Sequence, residues 1–219
     1  MYKSWWKVLG SVIVVYTTIG GLLLGVPRLA ILNETIRNLY FHVPMWFGML
    51  TLFSVSVWFS IKYLLSAKPE DDLKAVESIN VGIVFSLLGL VTGAIWAKFT
   101  WGQFWSFDVK QNFTAIAILL YFAYLVLRNS IDEEQKRAKI SAIYNIFAFP
   151  MMVVLIMVLP RLQDSLHPGN GGNPGFNSYD LDSRMRAVLY PAFIGWSIIG
   201  YWIYTLRYRL RVLEIKKNS

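Results

Sequence analysis

At 219 residues, with a hydrophobic fraction of 56% and an aromatic fraction of 16%, this chain is not an average soluble domain. It has no cysteine, which excludes a disulfide framework, a thiolate metal site and thiol chemistry, so any redox role requires a bound cofactor. The formal net charge of +8 comes from basic residues scattered between apolar runs, a distribution that indicates membrane topology and no nucleic-acid partner.

Six apolar runs follow one another, and most approach the ~20 residues that a helix needs to cross a bilayer core. They predict an all-α, polytopic membrane protein in which residues 1–219 form one integral membrane domain. No small-x-small cleavage site follows the first run, so we expect a retained span there. The fourth run is short and is expected to borrow length from a neighbouring interfacial segment. The predicted spans are about 5–26, 43–65, 79–97, 113–127, 140–159 and 187–206.

The distribution of Lys and Arg predicts the orientation of these spans. One set of alternate loops, which includes both termini, carries about twice as many basic residues as the other set. Basic loops stay cytoplasmic, so both termini are predicted to be cytoplasmic. His42, the segment Trp101–Asp108 and His167 then lie in three successive loops on the opposite side. The chain's two histidines thus share one face of the membrane with its most aromatic loop.

His42 stands in Phe41-His42-Val43-Pro44, just outside the second predicted span. Pro44 suits the first turn of a helix, where its missing N–H needs no partner, and this places His42 near the helix start. The alternative is an interfacial histidine that is merely a satisfied polar residue. In the third span, Gly89 and Gly93 form a small-x-x-x-small pair, which predicts close helix packing.

The segment Trp101–Asp108 is rich in aromatic residues where an ordinary loop would be polar. If it is helical, one sector about 100° wide holds four side chains, with Gly102, Gln103 and Ser106 opposite and Phe107 at the edge. This predicts an amphipathic segment along the outer membrane surface. An aromatic belt that only anchors the neighbouring spans is the alternative. The four residues predicted to share the aromatic face are Trp101, Phe104, Trp105 and Asp108.

Asp108 needs a partner beside such a cluster, either Lys110 or backbone N–H groups at the start of the fourth span. His167 begins a run rich in Pro, Gly and Asn that extends to Gly175 and predicts a loop able to close over a ligand. A surface histidine that is only solvated is the alternative. Two neutral imidazoles can supply the fifth and sixth ligands of haem iron, and an aromatic shelf suits a flat apolar ligand.

The sequence favours haem over other ligands. With two histidines and no cysteine, the chain lacks zinc-site spacing, and it has no phosphate-binding glycine loop. Haem propionates would require cations, and seven basic residues lie on the predicted outer side. The sequence does not choose among them: Arg28, Arg37, Lys98, Lys110, Arg161, Arg184 and Arg186.

These residues resemble the haem-handling proteins of cytochrome c biogenesis, whose signature is W-G-x-x-W-x-W-D flanked by one His on each side in separate outer loops. Trp101, Gly102, Trp105 and Asp108 match it, and Phe107 replaces the third Trp. Phe keeps the aromatic face and loses the indole N–H. The length, six spans and the phrases around His42 and His167 resemble the CcmC (haem exporter protein C) branch. The stretch from Trp105 to Lys110 is also similar to the larger CcsA-type synthase subunits, although their Pro is absent here.

The resemblance implies a haem-handling protein, not an enzyme, in the bacterial inner membrane. It implies that haem b is held as cargo on the periplasmic side and passed to the haem chaperone CcmE, with CcmA, CcmB and CcmD as partners. His42 and His167 would be the axial ligands, and Trp101, Trp105 and Asp108 would present the haem. Handover is expected to weaken the bond of the loop-borne His167. The alternatives are a CcsA-type cytochrome c synthase subunit and a permease subunit for another substrate.

Overall fold

A computed structural model describes residues 4–29, 31–167 and 180–218 of the chain, and for residue 218 it describes the backbone only. All regular elements in these ranges are helical, which confirms the all-α prediction. A 3-10 helix, Asn33–Asn38, precedes the second α-helix, and α5 continues as a π-helical turn, Val154–Val158, and a 3-10 turn, Leu159–Leu162. The α-helices are α1 Trp5–Leu23, α2 Leu39–Ser66, α3 Pro69–Trp101, α4 Val109–Asn129, α5 Glu134–Val153 and α6 Ser183–Asn218.

All six predicted spans correspond to helices that are long and apolar enough to cross a membrane. The chain is therefore a polytopic membrane protein. The fourth helix has 21 residues, so the expectation that it borrows length from a neighbouring segment is wrong. Its polar ends had been excluded from the apolar run, but Lys110 and Arg128 continue the helix. Helix α3 likewise begins at Pro69, because proline suits a first turn and acidic residues there favour the helix dipole.

Helix α2 starts earlier than predicted. The 3-10 helix Asn33–Asn38 runs directly into it, and Asn38 already has helical backbone angles. Pro44 consequently lies inside the helix, and its predicted place in the first turn is wrong. His42 is therefore a helical residue and not a loop residue, so its imidazole is carried by the rigid body of the bundle.

The core lies between α2 and the helices packed around it, α3, α5 and α6, with α4 closing over α5. The Phe53 ring stacks on Tyr121 with ring centroids 3.6 Å apart. Gly82 makes room for this pair, because a Cβ atom there would lie 2.4 Å from the Phe53 ring. Helix α1 packs mainly on α6 and turns an apolar face outward, as a helix in contact with lipid does. The exposed residues of that face include Val8, Val12, Val15, Ile19 and Leu22.

Ion pairs at one end of the bundle join α3 to its neighbours. Arg128 of α4 makes a two-pronged ion pair with Asp72, at 2.8 and 2.6 Å, and Arg207 of α6 reaches Glu77 at 2.8 Å. Asp72 lies at the start of α3, and Trp101 is its last residue. The aromatic loop is thus at the opposite end of the bundle from these ion pairs.

Candidate functional site

Trp101 ends α3, and residues 102–108 form an irregular connection, so the helix on which the predicted aromatic face depended is not formed. Gly102 ends α3 in the left-handed conformation with φ of 83°, and its N–H donates to the Lys98 carbonyl. Asp108 is the N-cap of α4 and accepts from the N–H of Lys110 at 3.0 Å. A glycine that ends one helix and an aspartate that begins the next leave too few residues between them for a third helix.

The predicted aromatic face is divided by this geometry. Trp101 and Trp105 are half-buried, whereas Phe104 is 57% exposed and Phe107 is 77% exposed. Phe107 also adopts a positive φ of 56°, which is rare for a bulky residue. The two phenylalanines therefore lie outside the group formed by the tryptophans and Asp108.

Two amide side chains of α4 hold the connection in place. Gln111 Oε1 accepts from both the backbone N–H and the hydroxyl of Ser106, each at 2.9 Å, and its Nε2 donates to the Phe104 carbonyl. Asn112 Nδ2 donates to the Phe107 carbonyl at 2.8 Å. Because these bonds start from the first two turns of a helix, the loop is fixed relative to α4.

Asp108 joins the loop to His167. Its carboxylate, 2% exposed, accepts from His167 Nδ1 at 2.7 Å, from the Leu166 N–H at 2.7 Å and from the Ser165 hydroxyl at 3.0 Å. The predicted backbone partner of Asp108, at the start of α4, is confirmed by its bond from Lys110 N–H. The sequence did not predict the contact with His167. A carboxylate can only accept, so the neutral imidazole carries its hydrogen on Nδ1 and presents the Nε2 lone pair.

The Asp108 carboxylate remains ionised near neutral pH. Burial alone would raise its pKa, but the hydrogen bonds from His167, Leu166 and Ser165 outweigh burial and hold the pKa well below the usual range. A depressed pKa means that the carboxylate contributes its full stabilisation above an ordinary carboxyl pKa of ~3.9. That contribution is lost only as the pH falls through the lower pKa of the folded protein.

His42 is held in the same tautomer by different partners. Its Nδ1 lies 2.9 Å from the Gly89 carbonyl and 3.2 Å from Thr92 Oγ1. A carbonyl can only accept, so the hydrogen is on Nδ1. At Nε2 the ring accepts from the indole N–H of Trp46 at 3.3 Å. Both histidines therefore present Nε2 as the acceptor nitrogen, which is the form that binds a metal.

Gly89 and Gly93 of α3 leave room for the rings of Trp46 and His42, respectively. A Cβ atom at Gly93 would lie 2.6 Å from His42 Cε1, and one at Gly89 would lie 2.7 Å from the Trp46 indole. The absence of side chains there lets the imidazole and the indole lie against the α3 backbone.

We expect Gly93→Ala to displace the His42 imidazole, because real Cβ contacts do not approach 2.6 Å. The bond from Nδ1 to the Gly89 carbonyl should lengthen or break, and any ligand held by Nε2 should be lost more readily, by roughly 10-fold or more. Haem retained after gel filtration measures the effect. Gly25→Ala is the matched control, since a Cβ at Gly25 meets no atom within 4 Å. Equal haem retention in both variants would contradict the role of Gly93 in positioning the His42 ring.

One cavity brings the two histidines together. It has a volume of about 210 Å³ and lies between α2, α3, the start of α4 and the distorted end of α5. Trp105 is the loop tryptophan on its wall; Trp101 stands behind His167, with ring centroids 4.7 Å apart and nearly perpendicular. Gly102, Phe104 and Phe107 do not line it. Its lining consists of Leu39, His42, Val43, Trp46, Phe47, Gly89, Leu90, Gly93, Ala94, Trp96, Trp105, Lys110, Gln111, Thr114, Ile156, Met157, Arg161 and His167.

The structure places two of the seven candidate cations, Lys110 and Arg161, on the cavity wall. Arg161 follows the π-helical turn of α5, and its guanidinium donates to the Met157 carbonyl at 2.8 Å. Such turns re-aim the side chains of a helix and are frequent at functional sites. The other cations with described partners are engaged away from the cavity, for example Arg37 with Glu34.

Several site residues were missed from the sequence. Trp46 was recognisable in principle, because four residues separate it from His42 and therefore put both on one helical face. Trp96 meets His42 edge-on, with ring centroids 6.1 Å apart, and Ser165 donates to Asp108; both pairs join parts of the chain that are far apart in sequence. The predicted loop continues from His167 to Gly175, and its part beyond His167 lies outside the described residues.

A model of the family described as Heme exporter protein C matches residues 1–219 of this chain. The chain belongs to the Heme exporter protein C family. The member of this family from Haemophilus influenzae is 24% identical over 187 residues, which cover 83% of this chain and 73% of that relative. The member from Bradyrhizobium diazoefficiens is 27% identical over 112 residues, 51% of this chain and 42% of the relative. The aligned part is therefore less than half of the Bradyrhizobium protein.

A second group of relatives is similar to only part of this chain. A cytochrome c biogenesis protein CcsA from Prochlorococcus marinus is 42% identical over 90 residues, which are 41% of this chain and 27% of the relative. The identity is higher and the coverage is smaller than for the exporter proteins. The relation predicted to CcsA is thus local, and the match to the exporter family extends over the whole chain.

Proposed function

We propose that this protein binds haem b as cargo between His42 and His167 and delivers it to a haem chaperone during cytochrome c maturation. One observation carries the proposal: the two histidines of the chain line a single cavity, and each has Nδ1 tied to an acceptor so that Nε2 is the ligand nitrogen. Two such nitrogens can supply the fifth and sixth ligands of haem iron.

The walls of the cavity suit a porphyrin. Trp46, Trp96 and Trp105 supply flat aromatic surfaces, and Val43 and Leu90 supply aliphatic contacts. The volume of about 210 Å³ is smaller than the ~300–1,000 Å³ of pockets that enclose a drug-sized ligand. Part of a haem would therefore project from the cavity. A cargo that must pass to another protein benefits from such partial exposure.

Lys110 and Arg161 are the proposed partners of the haem propionates, since both are cationic and line the cavity that holds the two histidines. We expect Arg161→Gln and Lys110→Gln each to weaken binding of haem by roughly 10- to 100-fold, because a hydrogen bond to a charged group is worth ~1.5–3 kcal/mol. Binding of haem dimethyl ester, whose carboxyl groups are uncharged, should change little. Titration of each protein with both porphyrins measures the difference.

Arg184→Gln is the matched control for these variants. Arg184 belongs to the same predicted set of cations, but it pairs with Asp182 and does not line the cavity. Equal weakening of haem and of its dimethyl ester by Arg161→Gln would show that the arginine acts on the fold and not on the propionates.

The direction of delivery is proposed from three sources: the Trp-rich motif, the family and the charge of the loops. The relatives are named for haem export, and the motif resembles proteins that present haem to CcmE. By the same resemblance we propose CcmA, CcmB and CcmD as partners. The excess of basic residues in one set of loops supports an inner-membrane protein with cytoplasmic termini and a periplasmic haem site.

A transfer experiment tests the proposal against the nearest alternative, a CcsA-type synthase subunit, which the local match to CcsA favours. Purified protein loaded with haem is mixed either with the chaperone or with an apocytochrome that carries its thiol pair. We expect haem to move to the chaperone and not to the apocytochrome. Covalent attachment to the apocytochrome by this chain alone would favour the synthase, and failure to retain haem at all would overturn both.

A further inference from the structure

The ligand nitrogen of His42 has a competitor within the same helix. The indole N–H of Trp46 donates to His42 Nε2 at 3.3 Å, while Nδ1 is engaged by the Gly89 carbonyl. A neutral imidazole has one ring lone pair available for a hydrogen bond or for a metal. Bonding from Trp46 and coordination of iron through Nε2 therefore exclude each other.

The position of the indole follows from the sequence of α2 and the surface of α3. Trp46 is four residues after His42, so both side chains leave the same face of the helix. The ring lies against Gly89, where a Cβ would come within 2.7 Å of it, and Trp46 lines the cavity. The His42 and Trp46 rings meet edge-on, with centroids 5.8 Å apart and an interplanar angle of 84°. The indole is thus beside the ligand nitrogen and within the cavity.

The two histidines differ in this respect. His167 is held at Nδ1 by a carboxylate at 2.7 Å, and Asp108 itself has three further bonds. Within residues 4–29, 31–167 and 180–218, no donor reaches His167 Nε2. The N–H···N bond to His42 Nε2 is long, at 3.3 Å, and is correspondingly easy to exchange.

We propose that Trp46 is a positioning residue for haem release, which competes with iron for His42 Nε2 and makes His42 the ligand that yields. This proposal rests on the proposed haem-binding function. At handover the bond between iron and Nε2 breaks and the N–H···N bond from Trp46 forms, with no electron or proton transferred. The lone pair of His42 Nε2 is bound to iron before release and accepts from Trp46 after it, so it is not left unpaired in an apolar cavity. In this proposal the ligand that yields is His42, whereas the sequence led us to expect His167.

Trp46→Phe tests the proposal, because it keeps an aromatic ring against Gly89 and removes the N–H. Haem release from the purified, haem-loaded protein is followed spectroscopically with excess apomyoglobin as the acceptor. We expect release to slow by roughly two- to tenfold, the range that one neutral hydrogen bond contributes. Trp196→Phe is the control: Trp196 packs against Phe85 in the core, with ring centroids 6.4 Å apart, and does not line the cavity. It should release haem at the unaltered rate.

A second measurement is made on protein that keeps Trp46, with the Phe variant used only to assign its signal. In ¹⁵N-tryptophan-labelled protein, titration with haemin should move the indole N–H signal of Trp46, assigned with the Phe variant, as its acceptor is taken by iron. The Trp196 signal should move far less. An unmoved Trp46 signal, or unchanged release from Trp46→Phe, would overturn the role of Trp46. His42→Ala separates this failure from a failure of the proposed function: if it binds haem as the unaltered protein does, the bis-histidine site itself is wrong.

Discussion

Alanine at His42 or His167 is expected to abolish the spectrum of six-coordinate haem and to reduce haem retention by at least ~100-fold. The estimate is a lower bound, because loss of a hydrogen-bond partner behind a metal ligand already costs roughly 10–100-fold. Both imidazoles line the same cavity with Nε2 as the acceptor nitrogen, so neither substitution leaves a spare histidine in this two-histidine chain. The Soret band and the haem content of the purified variants measure the result. The double variant should retain no haem above background.

Phe104→Ala is the control for these variants and also separates the structure from the sequence-based expectation. The helical projection placed Phe104 on the haem face, whereas the structure leaves its side chain 57% exposed and away from the cavity lining. Retention by Phe104→Ala should therefore stay close to the unaltered value. A loss of haem as large as that of the histidine variants would show that Phe104 belongs to the haem-binding face, as the helical projection predicted. Unchanged spectra in the double histidine variant would contradict the bis-histidine site.

Asp108→Asn is expected to lower haem affinity by roughly 10–100-fold, and it also removes part of the stabilisation that the ionised carboxylate contributes. Asparagine caps a helix about as well as aspartate, so α4 keeps its N-cap. It cannot replace four accepted bonds, because one of its two terminal atoms is a donor that would face the N–H groups of Leu166 or His167. The His167 ring then loses the contact that sets its tautomer and orientation. Haem titration measures affinity, and thermal unfolding of the haem-free protein measures stability.

Asp182→Asn is a matched control for Asp108→Asn. Asp182 precedes α6 and accepts from the N–H of Arg184 at 2.8 Å, which is the same capping contact without a histidine. Haem affinity should be unchanged in this variant. Suppose that Asp108→Asn lowers the unfolding temperature and the haem affinity in parallel. If excess haem then restores neither quantity, Asp108 acts on the fold, and a role in orienting His167 is contradicted.

Prediction from the sequence succeeded where a local pattern was sufficient. Apolar runs of adequate length predicted all six spans, since a helix in hydrocarbon satisfies its backbone internally whatever its neighbours are. The predicted helix boundaries were wrong where polar residues continue a helix beyond its apolar run, so that α3 begins at Pro69 and α4 at Val109. They were also wrong where a 3-10 helix leads into α2 ahead of Pro44. The aromatic face projected for Trp101–Asp108 required a helix that does not form, because Gly102 ends α3 and Asp108 caps the start of α4.

The sequence by itself determined the class of the protein and the short set of residues proposed to bind haem: six apolar helices, two histidines, no cysteine and a Trp-rich connection. The tertiary structure decided which of them meet. Packing of α2 on α3 placed His42 against two glycines, and the contact of Asp108 with His167 joined residues 59 positions apart. Spacing along a chain encodes contacts within one helix, such as His42 with Trp46. Contacts between helices depend on how their faces pack, which no local pattern specifies.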